Sequence, residues 1–119
     1  MEDTSKDPYD PFKKGLKALE QGKYDEAIRH LDKVTSIDPE NDVAWFHKGR
    51  AWLNKGLTSN TKKEYDEAIS CFDRAISIDP DFVDAWYSKA KAHHEKGETS
   101  EARRCWGKSF SDESKKPEV

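Results

Sequence analysis

The chain of 119 residues lacks the features that mark membrane, secreted or disulfide-stabilised proteins. No apolar run approaches the roughly 20 residues that a transmembrane helix needs. Two cysteines are too few for a disulfide framework, and the charged, proline-bearing N-terminus does not resemble a secretory signal. These absences predict a protein of the reducing cytoplasm that does not insert into membranes.

An excess of one charge sign is also missing. Lys and Arg number 21, Asp and Glu number 24, and the two signs alternate along the chain to give a formal net charge of −3. Such interspersed charges are typical of a solvated surface. We therefore predict no binding to nucleic acid or to anionic membranes.

The sequence also lacks the motifs that carry chemistry. It has no glycine-rich phosphate loop, no nucleophile elbow and no pair of acids in an evident cleft. The four histidines and two cysteines show no zinc-ligand spacing. Cys71 and Cys105 fall in one register of neighbouring helices, which pack about 8–10 Å apart and so do not favour a disulfide. We predict no enzyme activity, no metal and no cofactor.

What the sequence does contain is an internal repeat. The segment Tyr-Asp-Glu-Ala-Ile at 24–28 recurs at 65–69, and Ser-Ile-Asp-Pro at 36–39 recurs at 77–80, 41 residues later. Other matched positions, such as Gly15 and Gly49, are 34 residues apart. A period of 34 residues with a seven-residue insertion at 57–63 accounts for both spacings.

Each repeat has the pattern of two helices. In the second helix apolar residues recur at i, i+3, i+4 and i+7, which is one face of an α-helix. The first helices are predicted from about Asp10, Asp42 and Val83 to glycines 22, 56 and 97, which would form the turns. The insertion is predicted as a short polar loop that leads into a capping box, Thr61 with Glu64, so that the following helix begins a turn early.

A single pair of short helices cannot bury its apolar side, whereas stacked pairs can. We therefore predict an all-α solenoid in one domain at 8–110, with units at 8–41, 42–82 and 83–110. Residues 1–7 are predicted to be a flexible N-terminus, and residues 111–119 a disordered tail.

The recurring residues resemble the tetratricopeptide repeat family, whose pattern the second unit matches best. The matching positions are Trp45, Gly49, Gly56, Tyr65, Ala68, Phe72, Ala75 and Pro80. The resemblance covers roughly residues 8–110 and implies a right-handed superhelix. In this family the first helices line a concave groove that usually holds a peptide or helix of a partner protein.

The resemblance assigns groove positions to each first helix. They are Tyr9, Phe12 and Leu16 in the first unit, Val43, Phe46, Arg50 and Asn54 in the second, and Tyr87, Lys91 and His94 in the third. Phe12, Phe46 and Tyr87 share one position and would form an aromatic ladder along the groove. Either they contact an apolar peptide or helix, or they fill gaps between the first helices.

Some family members grip the C-terminal carboxylate of a partner with Lys and Asn from the first unit. Phe12 and Leu16 occupy those two positions here, so we do not expect that activity. The alternative to a binding scaffold is a structural module that self-associates through its C-terminal edge, where Cys105, Trp106 and Phe110 lie close to the end of the last helix. A homo-oligomer therefore stays open beside a protein partner.

Overall fold

The computed structural model describes residues 10–109, which form six α-helices and no strand. The helices are α1 (Asp10–Glu20), α2 (Tyr24–Ile37), α3 (Asp42–Ser59), α4 (Lys62–Ile78), α5 (Val83–Glu95) and α6 (Thr99–Ser109). The prediction of an all-α helical repeat is confirmed. The predictions for residues 1–7 and 111–119, and those for Tyr9 and Phe110, concern parts of the chain outside the described residues.

Two of the three predicted glycine turns are present. Gly22, between α1 and α2, has φ +75°, and Gly97, between α5 and α6, has φ +86°. An L-residue is strained in this left-handed region, which is why glycine suits both turns.

At the start of α3 the side chain of Asn41 accepts a hydrogen bond from the backbone N–H of Ala44 at 3.0 Å and so caps the helix.

The prediction of a polar loop after Gly56 was wrong. Helix α3 continues through the first part of the insertion to Ser59, and Asn60 ends it in the left-handed conformation, with φ 57°. Gly56 is a buried residue within α3, where a Cβ atom would lie 2.8 Å from the ring of Tyr65. Its role is to allow a close approach between α3 and α4, not to make a turn.

The capping box was also wrong in detail. Thr61 is the N-cap residue of α4, but its side chain accepts no hydrogen bond from the backbone. Its hydroxyl instead donates to the carboxylate of Glu64. The early start of α4 is confirmed, because the helix begins at Lys62, three residues before the tyrosine that corresponds to the first residue of α2.

The helices pair as hairpins that stack along the chain. Each helix packs against the next one, and α3 also touches α1 and α5. The second helices α2, α4 and α6 make no contact with one another. The stack therefore curves with its first helices on the inside, and its dimensions of 54 × 30 × 21 Å are those of an elongated domain.

Two salt bridges tie each unit to the next. Lysines on the first helices bind aspartates on the preceding second helices: Lys48 with Asp32 at 2.6 Å, Lys89 with Asp73 at 2.6 Å, Lys55 with Asp25 at 2.7 Å, and Lys96 with Asp66 at 2.5 Å. The partners recur 41 residues apart. Because the aspartates are exposed, each bridge contributes little energy, and its main effect is to fix the register between units.

A tryptophan holds each linker between units. The indole N–H of Trp45 donates to the carbonyl of Pro39 at 2.9 Å, and that of Trp86 donates to the carbonyl of Pro80 at 2.8 Å. A lysine ammonium lies over each ring, at 4.9 Å for Lys48 on Trp45. The indole thus joins the start of a first helix to the linker that precedes it.

We predict that Gly49→Ala destabilises the fold. A Cβ atom at this position would lie 2.6 Å from the ring of Phe72, which is fully buried and has no room to move. The strain, about 1–3 kcal/mol, should exceed the gain of about 1 kcal/mol in helix propensity. Urea unfolding should therefore show a lower free energy of unfolding than in the wild type.

Gly107→Ala is the matched control, because Gly107 is also helical and a Cβ atom there would meet nothing within 4 Å. This variant should be as stable as the wild type or gain up to about 1 kcal/mol. Equal stability of the two variants would show that α3 does not pack on Phe72 as closely as the structure has it.

Candidate functional site

The inner surface contains a cleft between α1 and α3. Its volume is about 230 Å³, and it is lined by Leu16, Leu19, Glu20, His47, Arg50 and Asn54. Three residues predicted for the groove, Leu16, Arg50 and Asn54, therefore line the same cleft. Two leucines, one cation, one acid and one amide can bind an apolar side chain and hydrogen-bond its backbone.

The predicted aromatic ladder is continued through a histidine between the first two units. The ring of His47 lies 5.9 Å from that of Phe12 and 5.1 Å from that of Phe46, both edge to face. Phe46 also packs on Phe72 at 6.0 Å and on Phe82 at 5.0 Å. Phe46 is therefore half-buried and fills space between the units as well as facing the groove.

The remaining predicted residues are exposed. Val43 is 40% exposed and Tyr87 is 45% exposed, and Lys91 and His94 lie at the surface of α5. The rings of Tyr87 and His94 pack at 6.5 Å and 6.1 Å on Trp106, so this tryptophan packs within its own unit. Trp106 therefore packs beneath Tyr87 and His94, the groove residues of the third unit.

The electrostatics of the cleft centre on His47. Burial, and secondarily the charge of Arg50, lower the pKa of His47 from 6.5 to about 4, so the imidazole is neutral near pH 7. Its Nδ1 lies 3.3 Å from Nη1 of Arg50 and can accept a hydrogen bond from it. The guanidinium also lies 5.9 Å from the centre of the Phe46 ring, so Arg50 is held over the groove by two neighbours.

Sequence reasoning missed His47 and Phe82. The residues at the corresponding position of His47 are Lys13 and Ser88, so the repeat gives no signal there. Phe82 follows the Asp-Pro of the linker and lies just before α5, in a segment that the helix pattern does not cover. Only its packing on Phe46 shows that it belongs to this surface.

The described residues offer no evident chemistry. No group of three His, Cys, Asp or Glu side chains within residues 10–109 is placed to hold a metal ion. Cys71 and Cys105 are free and buried, and burial raises the pKa of the Cys71 thiol to about 12. Such a thiol is a poor nucleophile near pH 7. None of the described helices is long and apolar enough to span a membrane.

The far edge of the stack differs from the interior joints. Ile28 on α2 is buried beneath the second unit and packs near Trp52, and Ile69 on α4 takes the same role beneath the third unit. The equivalent position on α6 is Arg103, which is exposed. The aspartates that bind the next unit are replaced on α6 by Ser100 and Gly107, so this edge is polar where it is described.

Comparison with protein families agrees with this architecture. One model, described as a tetratricopeptide repeat, matches residues 18–59, and a second, described as a TPR repeat, matches residues 61–109. The chain belongs to the tetratricopeptide repeat family. The resemblance noted in the sequence is therefore confirmed over most of the chain.

Solved structures of other tetratricopeptide repeat proteins are similar. A mutant form of MamA is 27% identical, with a TM-score of 0.77 over 87% of this chain and 71% of that one. The first TPR of Spaghetti (RPAP3), bound to the HSP90 peptide SRMEEVD, is 24% identical, with a TM-score of 0.79 over 90% and 79%. The Sgt2 TPR domain from Aspergillus fumigatus is 19% identical, with a TM-score of 0.80 over 93% and 69%. No curated protein sequence matches the chain significantly.

We predict that His47 makes this tetratricopeptide repeat protein less stable in acid. The unfolded chain binds a proton at His47 below about pH 6.5, whereas the folded chain does so only near pH 4. The free energy of unfolding therefore falls as pH drops from 6.5 towards 4, by on the order of 2 kcal/mol at pH 5 from this group alone. Urea unfolding at a series of pH values measures the effect.

The variant His47→Gln isolates that contribution, because every carboxylate is common to both proteins. The difference in stability between wild type and variant should change in favour of the variant as pH falls from 6.5 to 5. A constant difference over this range would mean that His47 is solvated and not enclosed between Phe12 and Phe46.

Proposed function

We propose that this chain is a non-catalytic binding module whose inner groove holds an apolar peptide or helix of another protein. The observation that carries the proposal is the surface formed by α1, α3 and α5. It combines an open cleft, half-buried rings at Phe12 and Phe46, and exposed Val43 and Tyr87. Apolar side chains beside fixed polar groups are typical of grooves that bind peptides.

Fold similarity supports the same assignment. The structure of the first TPR of Spaghetti holds a peptide, and that domain shares the fold of this chain. The charged residues that this chain offers the groove are Arg50 and Lys91, with Glu20, Asp84 and Glu95 beside them. Because both signs are present and the apolar residues are continuous through the first two units, we favour apolar contacts over charge as the main attraction. Cytoplasmic location and the absence of nucleic-acid partners remain predictions.

Self-association through the C-terminal edge is the weaker proposal. Arg103 replaces the buried isoleucine of the interior joints, and Ser100 and Gly107 replace the aspartates. A further helix pair stacked on α6 in the same way would bury the Arg103 guanidinium and would find no acid for its lysines. Cys105 is only 4% exposed, so it offers no contact at this edge.

The groove proposal predicts that Val43→Glu/Tyr87→Glu abolishes binding without unfolding the stack. Both side chains are exposed, so charges are tolerated there, whereas Phe46→Glu would place a charge against Phe72 and Phe82. Peptides selected from a displayed library on the wild type should bind with a Kd on the order of micromolar. The double variant should bind at least about tenfold more weakly in calorimetry, with an unchanged circular dichroism spectrum.

The matched control is Ile37→Glu/Ser77→Glu, which adds the same charge at exposed positions of the outer helices α2 and α4. It should bind the selected peptides like the wild type. Equal weakening by both variants, equal binding by all three proteins, or no peptide enriched by the wild type would each count against a groove on the inner face.

A further inference from the structure

A cavity of about 330 Å³ opens where the start of α1 meets the end of α2, and the surface that lines it is mostly apolar. We call it the Pro11 pocket, and its lining residues are Pro11, Asp32, Lys33, Ser36 and Ile37. It shares no residue with the cleft between α1 and α3. Ile37 is 71% exposed, which makes it the most exposed large apolar side chain among the described residues.

The internal repeat shows what the other two units have at this position. Trp45 corresponds to Pro11, 34 residues later, and Trp86 follows after a further 41 residues. The guanidinium of Arg74, which corresponds to Lys33, lies 5.1 Å from the centre of the Trp45 ring. An indole therefore lies beside the end of the second helix in the second unit, whereas the first unit has a proline there.

The walls of this site are present in the first unit although the indole is missing. The wall residues recur in the second unit with the same chemistry: Asp32 as Asp73, Lys33 as Arg74, Ser36 as Ser77 and Ile37 as Ile78. Ile78 is partly buried in the unit that has Trp45, whereas Ile37 is exposed in the unit that lacks it. The smaller proline ring leaves open the space that an indole fills elsewhere.

We propose that the Pro11 pocket binds a tryptophan side chain presented by another protein. The chain itself places indoles at the equivalent positions 45 and 86, and each lies near a cation of the second helix. Lys108, at the position of Lys33, lines one cavity with Trp86. A cation beside an aromatic face attracts it, an interaction that an aliphatic side chain cannot make. Lys33 therefore favours an indole over a leucine as the occupant.

The indole N–H also needs an acceptor. In the second and third units the linker carbonyls of Pro39 and Pro80 accept this hydrogen bond. At the Pro11 pocket the Asp32 carboxylate lies in the wall, with Oδ1 bound to Lys48 at 2.6 Å. A carboxylate accepts several hydrogen bonds, so Asp32 can also accept one from an indole.

The probe that tests the pocket is N-acetyl-tryptophanamide, followed through the isoleucine δ1 methyl signals in NMR titrations. Ring currents of the bound indole should shift the Ile37 methyl, with a Kd on the order of millimolar because one ring in an open pocket buries little area. The Ile78 methyl is the internal control and should not move, because Trp45 occupies its site. N-acetyl-leucinamide should bind at least about threefold more weakly, since it lacks the attraction to Lys33.

The matched variants are P11W and P11A. P11W supplies the ring from the chain itself and should abolish the shift of Ile37, whereas P11A leaves the pocket open and should bind the probe like the wild type. Ile37→Glu should also lose binding, and it should fold because this side chain is exposed. Val43→Glu/Tyr87→Glu should bind the probe like the wild type, so the pocket and the groove are tested separately.

Several results would overturn the proposal. They are no shift of Ile37 in the wild type, equal binding by P11W and P11A, equal binding of the leucine and tryptophan amides, and loss of binding in Val43→Glu/Tyr87→Glu. Tighter binding of free tryptophan than of its amide would point to the amino acid instead of a protein.

The spectra without the probe test two other occupants. A shift of the Ile37 methyl in the variant Y9A would mean that the chain's own tyrosine fills the pocket. A shift that depends on protein concentration would mean that a second copy fills it. Either result would overturn the proposal.

Discussion

The structure depends on close approach of two helices within each unit, which small residues make possible. A Cβ atom on Gly15 would lie 2.8 Å from Leu31, and one on Gly49 would lie 2.6 Å from Phe72. Ala27, Ala68 and Ala102 are fully buried at matching positions on the second helices. The large side chains of Leu31 and Phe72 fill the space that the small residues leave, so each of the first two hairpins closes around one large side chain. The curvature of the stack, and hence its groove, follows from that closure.

Stacking of the units also uses polar contacts, and these lie away from the groove. The lysine–aspartate pairs and the indole bonds to the linker carbonyls join second helices to the first helices that follow. On the inner surfaces of α1, α3 and α5 the units meet through ring packing instead, as between His47 and Phe12. This division lets groove residues differ between units while the joints repeat. Leu16, Arg50 and Lys91 share one position yet have three different chemistries.

Sequence periodicity could predict the helices because their apolar stripes repeat, and it failed where a residue has two structural uses. Gly56 marks a turn by its position, yet Leu57, Thr58 and Ser59 can all continue a helix, and the close ring of Tyr65 is what requires glycine. The joints were predictable in principle, since Lys48 and Lys89 recur with Asp32 and Asp73 at one spacing. His47 and Phe82 were not, because each occurs once and takes part only through three-dimensional neighbours.

The two roles considered for the aromatic ladder, filling gaps between the first helices and contacting a ligand, do not exclude each other, as Phe46 shows. Its ring packs on Phe72 within the unit and on Phe82 from the linker, so much of its surface is used by the fold. The same ring supports the Arg50 guanidinium and touches His47, whose low pKa keeps it uncharged beside that cation. A rigid floor of this kind holds polar groups in place before a ligand arrives, which lowers the entropy lost on binding. In the proposed binding mode, residues that pack the joint set the affinity of the groove, and the exposed side chains of Val43 and Tyr87 are the ones available to discriminate between ligands.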